Sequence, residues 1–556
     1  MLSSFYKYIL LIGAFCGSLI SCGTAPERSP GKEGDNSPRI INIINFIRQT
    51  DYRVANADSL LYETVREQLK LVNRYHLPAT FLLQYDALIN PCYQELLRTE
   101  LNSQSEIGAW WELTQPQVEA AGIVWRGEHS WVSHANIAFS TGYTKEERER
   151  LVDVYMAKFK ELFGNYPKSV GSWFIDAHTL AYMYDKYKII ASCNCKDQVG
   201  TDGYTLWGGY WNQAYYPSRL NAYMPAQTES AQIPVPIFRM LGSDPIYQYD
   251  DGLGKERQGV ISLEPVYEQS GMNKKWVDYF MRAIVEQPCL AFNYAQAGQE
   301  NSFTWANMRK GLEMQIPFLD SLRNCGQIRV ETLAESGEWF KKQFKVTPAT
   351  AVTALDDVRG EGNKTVWFNS RYYRVNLLWE KGKFRFRDIH LFDERDKSAY
   401  LDVPGKGNQF LFYTLPFVDG FMWSEEEERA GLRLIRLSDR GEEELTLNSP
   451  SVTEIGKDIL VVKARDPYDN LFNIQFDENQ FSVSCQRDEN HTWALELKAV
   501  RNKKLPFIGI EKNTIQAVFD NFKYQVDIAE GYAERPTDDE EYIFRLYPST
   551  NGNIIK

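Results

Sequence analysis

The chain has 556 residues, with 62 basic and 74 acidic side chains and a formal net charge of −12 at pH 7. That balance argues against DNA or RNA as a partner, because binding a polyanion depends on neutralising phosphates with Lys and Arg. Aromatic residues make up 14% of the chain, including 14 Trp and 32 Tyr. Such rings are core material but also platforms for the apolar faces of sugars, so the composition leans towards a poly- or oligosaccharide partner.

In chain order, the first element is Lys7 followed by an apolar stretch from Ile9 to Ile20 and then Leu19-Ile20-Ser21-Cys22-Gly23. The stretch is too short to span a bilayer and ends in small residues, as a cleaved signal does. It resembles the bacterial lipobox, in which a branched and a small residue lead into a cysteine whose thiol receives a lipid. The resemblance implies a signal peptide over 1–21, lipidation of Cys22, and a place in the cell envelope, anchored to a membrane at the outer membrane, the cell surface or a periplasmic face. A noncleaved anchor with an incidental cysteine is the alternative. Residues 22–38 are mostly Gly, Pro, Ser and charged residues, too polar to offset their ordering entropy, and read as a tether. The later cysteines are too sparse for a disulfide scaffold. Cys193-Asn194-Cys195 is too tightly spaced for the usual zinc pair, so buried thiols or a disulfide are the better reading.

Residues 39–346 alternate short apolar runs with amphipathic stretches, the pattern of β/α units. Strands are expected at Ile40 to Ile47, Ala79 to Gln84, Glu106 to Trp110, Ser169 to Ile175, Lys188 to Ser192, Cys289 to Phe292 and Gln327 to Val330. Helices are expected with Leu61, Val65, Leu69 and Val72 on one face, from Thr144 with a capping box to Glu147, over Lys274 to Glu286, and over Thr304 to Arg323. Repetition over about 300 residues suggests a barrel. Residues 347–556 change to period two: Tyr373, Val375, Leu377 and Trp379 alternate with polar residues, Lys381-Gly382 turns, and Phe384 and Phe386 resume. With further strands at Gln409 to Tyr413, Ile459 to Val462, Ile515 to Phe519 and Tyr524 to Ile528, this half reads as a β-sandwich. Two domains are expected, since single cores stop growing at roughly 250 to 300 residues.

Three stretches carry a resemblance to the glycoside hydrolase/deacetylase superfamily. Thr50-Asp51-Tyr52 ends the first strand, where polysaccharide deacetylases carry a functional aspartate; His76-Leu77-Pro78-Ala79-Thr80-Phe81 is similar to their Pro-Ala-Thr-Phe strand; and Glu106-Ile107-Gly108 leads, in them, into a zinc-binding His motif. The resemblance implies an irregular (β/α)7-type barrel and carbohydrate chemistry. Here Trp110-Trp111-Glu112 stands where the histidines would be. If an insertion displaced the motif, Asp51, His129 and His134 would hold zinc or another divalent metal for deacetylation. The leading reading needs no cofactor: glycoside hydrolysis by paired carboxyl groups about 5 to 9.5 Å apart, presented at strand C-terminal ends.

The candidate carboxylates are Asp51, Glu112, Asp176, Glu300 and, last, Glu128. Each has a structural rival. Asp51 could cap a helix or pair with Arg53. Asp176 could be a helix cap with His178 a structural neighbour. Glu112, after two Trp, could be a surface residue beside core rings, or an acid raised by apolar walls. Glu300 lies in a Gly- and Gln-rich turn. Trp110, Trp111 and His178 are candidate substrate contacts, and Trp207, Tyr210 and Trp211, in an aromatic segment without period, could form a sugar-stacking rim or part of the core. A glycan-binding lipoprotein without catalysis is the reading from outside enzymes.

Overall fold

Every residue from Ile40 to Ile47 is buried on strand β1 (Arg39–Ile47), which is possible only where both faces of a strand are covered. Helices cover one face and the barrel interior the other. The computed structural model describes residues 37–439, 441–486, 492–535, 542–549 and 552–556. Cys22 and the signal lie outside them. Among the described residues no helix is long and apolar enough to cross a membrane.

The remaining strands of the first half are β2 (Thr80–Leu83), β3 (Glu106–Trp110), β4 (Ser169–Gly171), β5 (Ala191–Asn194), β6 (Gln198–Thr201), β7 (Tyr204–Trp207), β8 (Ala214–Tyr215), β9 (Ile237–Arg239), β10 (Asn293–Ala297) and β11 (Arg329–Glu331). Their order in the barrel sheet is β10-β1-β2-β3-β4-β5-β9-β8, with β11 also on β1. Neighbours are parallel except β8 against β9. The ring is nearly closed: Gln213, just before β8, donates from Nε2 to Asn293 Oδ1 of β10 at 2.9 Å. Ile44, Phe46, Leu82, Trp110, Cys193, Phe238 and Tyr294 fill the interior, while Ile41, Ile43, Ile47, Phe81, Leu83, Ala109 and Val170 pack outwards against the helices.

The capping box at Thr144 forms as expected, starting helix Lys145–Phe163, and the apolar face of helix Ala57–Arg74 is buried. The strand expected at Cys289 to Phe292 lies instead at Asn293–Ala297. Leu290 adopts a left-handed φ of 63° and bridges to Thr350, so the apolar run before β10 joins the two halves and does not extend the barrel strand.

The change to antiparallel pairing falls between helix Leu333–Gln343 and strand Thr350–Ala354. From there two antiparallel sheets pack face to face around Val366, Phe368, Val375, Phe386, Leu460, Phe472, Phe481 and Val526, a β-sandwich. The hairpin at Lys381-Gly382 has both turn residues at positive φ, 50° and 77°, as a two-residue turn of this type requires. Phe410–Tyr413, expected within the sandwich, instead pairs in parallel with β7 of the first half. Residues 37–556 form one compact unit.

A buried ion network fastens the halves. Arg374 donates from Nε and Nη2 to the two oxygens of Asp388, both at 2.8 Å, and from Nη1 to Asp197 and to the Gly209 carbonyl. Arg239 donates to the other oxygen of Asp197 at 2.6 Å. Tyr249 Oη donates to Asp388 and Trp207 Nε1 to Asp419, at 2.7 and 2.9 Å.

Candidate active site

Period two along a strand places alternate side chains on one face, and the inward face of three barrel strands runs out into charge. Arg48 continues Ile44 and Phe46 beyond β1, Glu112 continues Trp110 beyond β3, and Glu300 continues Tyr294 and Gln296 beyond β10. All three are at least 95% buried.

Arg48 is the hub. Its guanidinium grips Glu112 through Nε and Nη2, both at 3.1 Å, lies 3.0 Å from Glu300 Oε2 and donates to Asp51 Oδ2 at 3.3 Å. Its backbone is clamped by Asn301, which accepts from the Arg48 amide at 2.9 Å and donates to its carbonyl at 2.8 Å. Glu112 also accepts from Trp110 Nε1 at 3.0 Å. Asp51 accepts from Arg53 Nε at 2.8 Å, from Arg53 Nη2 at 2.6 Å and from its backbone amide.

The environments separate these carboxyl groups. Burial would raise Asp51, but the bonds from Arg53 and the charge of Arg48 outweigh it and hold the group below its usual range. Burial prevails at Glu300: despite Arg48 and a 2.6 Å bond from Ser302 Oγ, its carboxyl is pushed up to about 7. Next to it, Gln299 Nε2 donates to Glu264 at 2.8 Å, and burial also raises Glu264.

Gly298 aims this turn. Its φ is +93°, and a Cβ there would lie 2.2 Å from the carbonyl oxygen of Ile44. Gly298→Ala is therefore expected to destabilise the fold by more than about 1 kcal/mol in chemical denaturation. Wild-type stability would remove backbone strain as the reason for glycine here.

The outer side of the cluster is aromatic. Trp131 lies over Arg48, with Cζ 4.1 Å from its ring centroid, and over Arg53 at 4.8 Å. Tyr52, 46% exposed, leans on Trp131 and stacks on His129 at 4.6 Å and 12°.

Of the residues singled out in the sequence, Asp51, Glu112 and Glu300 are brought together. Asp176 is not. It caps helix Ala177–Tyr187 by accepting from Thr179, and pairs with Arg148 at 3.0 Å and Ser140 at 2.6 Å. Those partners, against the upward push of burial, hold it below the usual carboxylate range. Asp176→Ala would leave the buried Arg148 with backbone carbonyls only and no counter-charge; a loss of about 3 to 5 kcal/mol in urea unfolding is expected, with turnover kept in the folded fraction. His178, on the same helix, turns to Glu149 at 3.1 Å. Glu128 is exposed.

Trp110 and Trp111 are buried, the first against Phe46 at 4.1 Å and the second donating to Ser140; Trp110, through its bond to Glu112, orients that carboxylate. Trp207, Tyr210 and Trp211 form no rim. They are at most 2% exposed and seal the barrel to the sandwich: Trp211 stacks on Trp367 at 3.8 Å, and Tyr210 donates to the Pro348 carbonyl at 2.7 Å. Large rings bury most area at such seams. Sequence reasoning passed over Arg48, Trp131, Lys196 and Glu264; the inward parity of Arg48 after Phe46 was the available signal. Cys193 and Cys195 are buried thiols whose acidity burial suppresses.

The donor set for a metal does not assemble. His129 and His134 are exposed, Asp51 is engaged by two arginines, and among the described residues no group of three His, Cys, Asp or Glu side chains is placed to hold an ion. The positive charge at the centre of this cluster is a guanidinium.

No family model and no curated protein matches the chain. Among solved structures, the chain is similar to a Parabacteroides distasonis protein provisionally described as a glycoside hydrolase/deacetylase, at 14% identity and a TM-score of 0.49, over 68% of this chain and 90% of that one. It is also similar to a PuuE allantoinase (13%, TM-score 0.34, 60% and 99%) and to a family 4 acetyl xylan esterase from Clostridium thermocellum in complex with cobalt (12%, TM-score 0.25, 55% and 94%).

Proposed function

We propose that the protein is a carbohydrate-active hydrolase that cleaves a glycosidic bond at the C-terminal end of its barrel, with Glu300 as the general acid and Glu112 as the carboxylate across the bond. The observation that carries this reading is a carboxyl pushed up to about 7 beside a second one gripped by the same arginine. An acid that stays protonated near neutrality can give its proton to the departing glycosidic oxygen. Glu112 Oε2 and Glu300 Oε2 both lie within 3.0 Å of Arg48 Nη2, so they are no more than about 6 Å apart, an upper bound that accommodates the spacing used with a covalent glycosyl intermediate and is shorter than the roughly 6.5 to 9.5 Å an inverting pair needs. In that route Glu112 attacks the anomeric carbon as the bond to the leaving oxygen breaks. Glu300 then takes a proton from the water that releases the sugar, whose anomeric configuration is retained.

The Cys22 lipobox and its tether add the proposal that this chemistry takes place in the cell envelope, on a lipid anchor, against extracytoplasmic glycans. The test is a panel of oligosaccharides assayed both for new reducing ends and for released acetate. Reducing ends that appear with wild type and not with Glu300→Gln support the reading. Acetate release dependent on added metal would replace it with deacetylation, and binding without either product would reduce the barrel to a glycan-binding module.

A further inference from the structure

Lys196 follows β5 at the same end of the barrel as Arg48, Glu112 and Glu300, and it is 1% exposed. Its ammonium has no hydrogen-bond partner. The other arginines of this end each have a carboxylate partner: Arg48 has Glu112, Glu300 and Asp51, Arg53 has Asp51, and Arg239 at the end of β9 has Asp197. Glu264 is near enough for Lys196 to be the strongest charge acting on it, yet no hydrogen bond joins them: its oxygens accept from Ser262 Oγ at 2.6 Å and Gln299 Nε2 at 2.8 Å. Gln299 in turn ties Glu264 to the acid, because Glu300 is the next residue and donates its backbone amide to Gln299 Oε1 at 2.8 Å. Tyr267, partly exposed, lies within the field of Glu264, Asp202 and Glu300.

A lysine ammonium carries three donors and no acceptor, and burying its charge without a partner is costly. An anionic ligand group would satisfy both the charge and the donors.

We infer that Lys196 is the specificity residue of this site and binds an anionic substituent, carboxylate or sulfate, on the sugar ring held next to Glu300. The substrate class is an acidic glycan. This deepens the proposed function and rests on it for the identity of the site, but it can be tested without turnover.

The measurement is calorimetric binding of glucuronate, galacturonate, glucose 6-sulfate and glucose to the full chain, as wild type, Lys196→Met and Glu300→Gln. At least one acidic sugar should bind wild type ten-fold or more tightly than glucose. That preference should vanish in Lys196→Met and persist in Glu300→Gln, which lacks only the acid. A uronate preference points to a carboxylate and a 6-sulfate preference to a sulfate. Equal binding of acidic and neutral sugars, no binding of any acidic sugar, or a preference unchanged in Lys196→Met would overturn the inference. Folding of the variant is checked by its melting temperature, which should not fall, because methionine of similar length removes a buried unpaired charge. A lower melting temperature would mean that Lys196 is paired in the fold and would also overturn it. If glycosidic cleavage fails on every glycan while the acidic preference holds, the proposed reaction is wrong and the subsite stands.

Discussion

Replacing Glu300 with glutamine is expected to lower kcat/KM on the hydrolysed glycan by about 10²- to 10⁴-fold, the usual contribution of a positioned general acid. Glutamine keeps the size and can still accept from Ser302, which bonds Glu300 Oε1 at 2.6 Å, but it has no proton to give. The pH profile separates chemistry from folding. Glu300 acts in its protonated form and its carboxyl is held up to about 7, so wild-type kcat/KM should fall as pH rises through that value. The residual activity of the variant should lack this limb. Stability carries the same signature with a definite sign. The folded state retains a proton on Glu300 that an unfolded glutamic acid releases at lower pH, so the contribution is complete below the ordinary glutamate range and is lost as pH rises through about 7. Asp86 and Asp396, also raised to about 7 by burial, slope the same way, so the informative quantity is the difference between wild type and variant. An unaltered alkaline limb in Glu300→Gln would remove this residue as the acid.

Arg374→Ala is expected to be the most destabilising single change at the seam between barrel and sandwich, at about 3 to 5 kcal/mol in urea denaturation. Arg374 is wholly buried and answers two buried carboxylates, Asp197 and Asp388, as well as the Gly209 carbonyl. Removing it leaves Asp388 with Tyr249 and, 3.6 Å away, His390, and Asp197 with Arg239, Tyr223 and the Gly208 amide, so two carboxylates lose their main cation in a dry interface. The double variant Arg374→Met, Asp388→Asn, which keeps Asp197 for the buried Arg239, should recover part of the loss, since a buried network is worth little against neutral groups of similar shape while half a network is costly. A loss below about 1 kcal/mol for Arg374→Ala would show that water reaches this seam and screens it.

Local chemistry was legible along the chain wherever one element could satisfy itself. Thr144 and Glu147 close their capping box within a single turn, Lys381-Gly382 needs only its own backbone to reverse the chain, and the uninterrupted apolar run from Ile40 to Ile47 announces a strand covered on both faces. The barrel-then-sandwich architecture follows from such periods. So does the candidate status of Asp51, Glu112 and Glu300, because strand ends are where a barrel exposes function.

What tertiary structure decided is which of those groups meet and what each becomes. Asp176 and Glu300 both follow apolar strands and both could be acids on paper. Arg148, 28 residues away, holds one ionised as a cap, while burial with only a share of Arg48 leaves the other protonated to about 7. The aromatic segment around Trp207 to Trp211 has the composition of a sugar platform, yet it packs against Trp367 and Asp419 more than 150 residues later. A pKa and an exposed face are sums over neighbours in space, and long-range neighbours carry no local period; the sequence by itself therefore determined the elements and their strand ends, and only the folded chain determined that Arg48 would gather three carboxylates around one guanidinium.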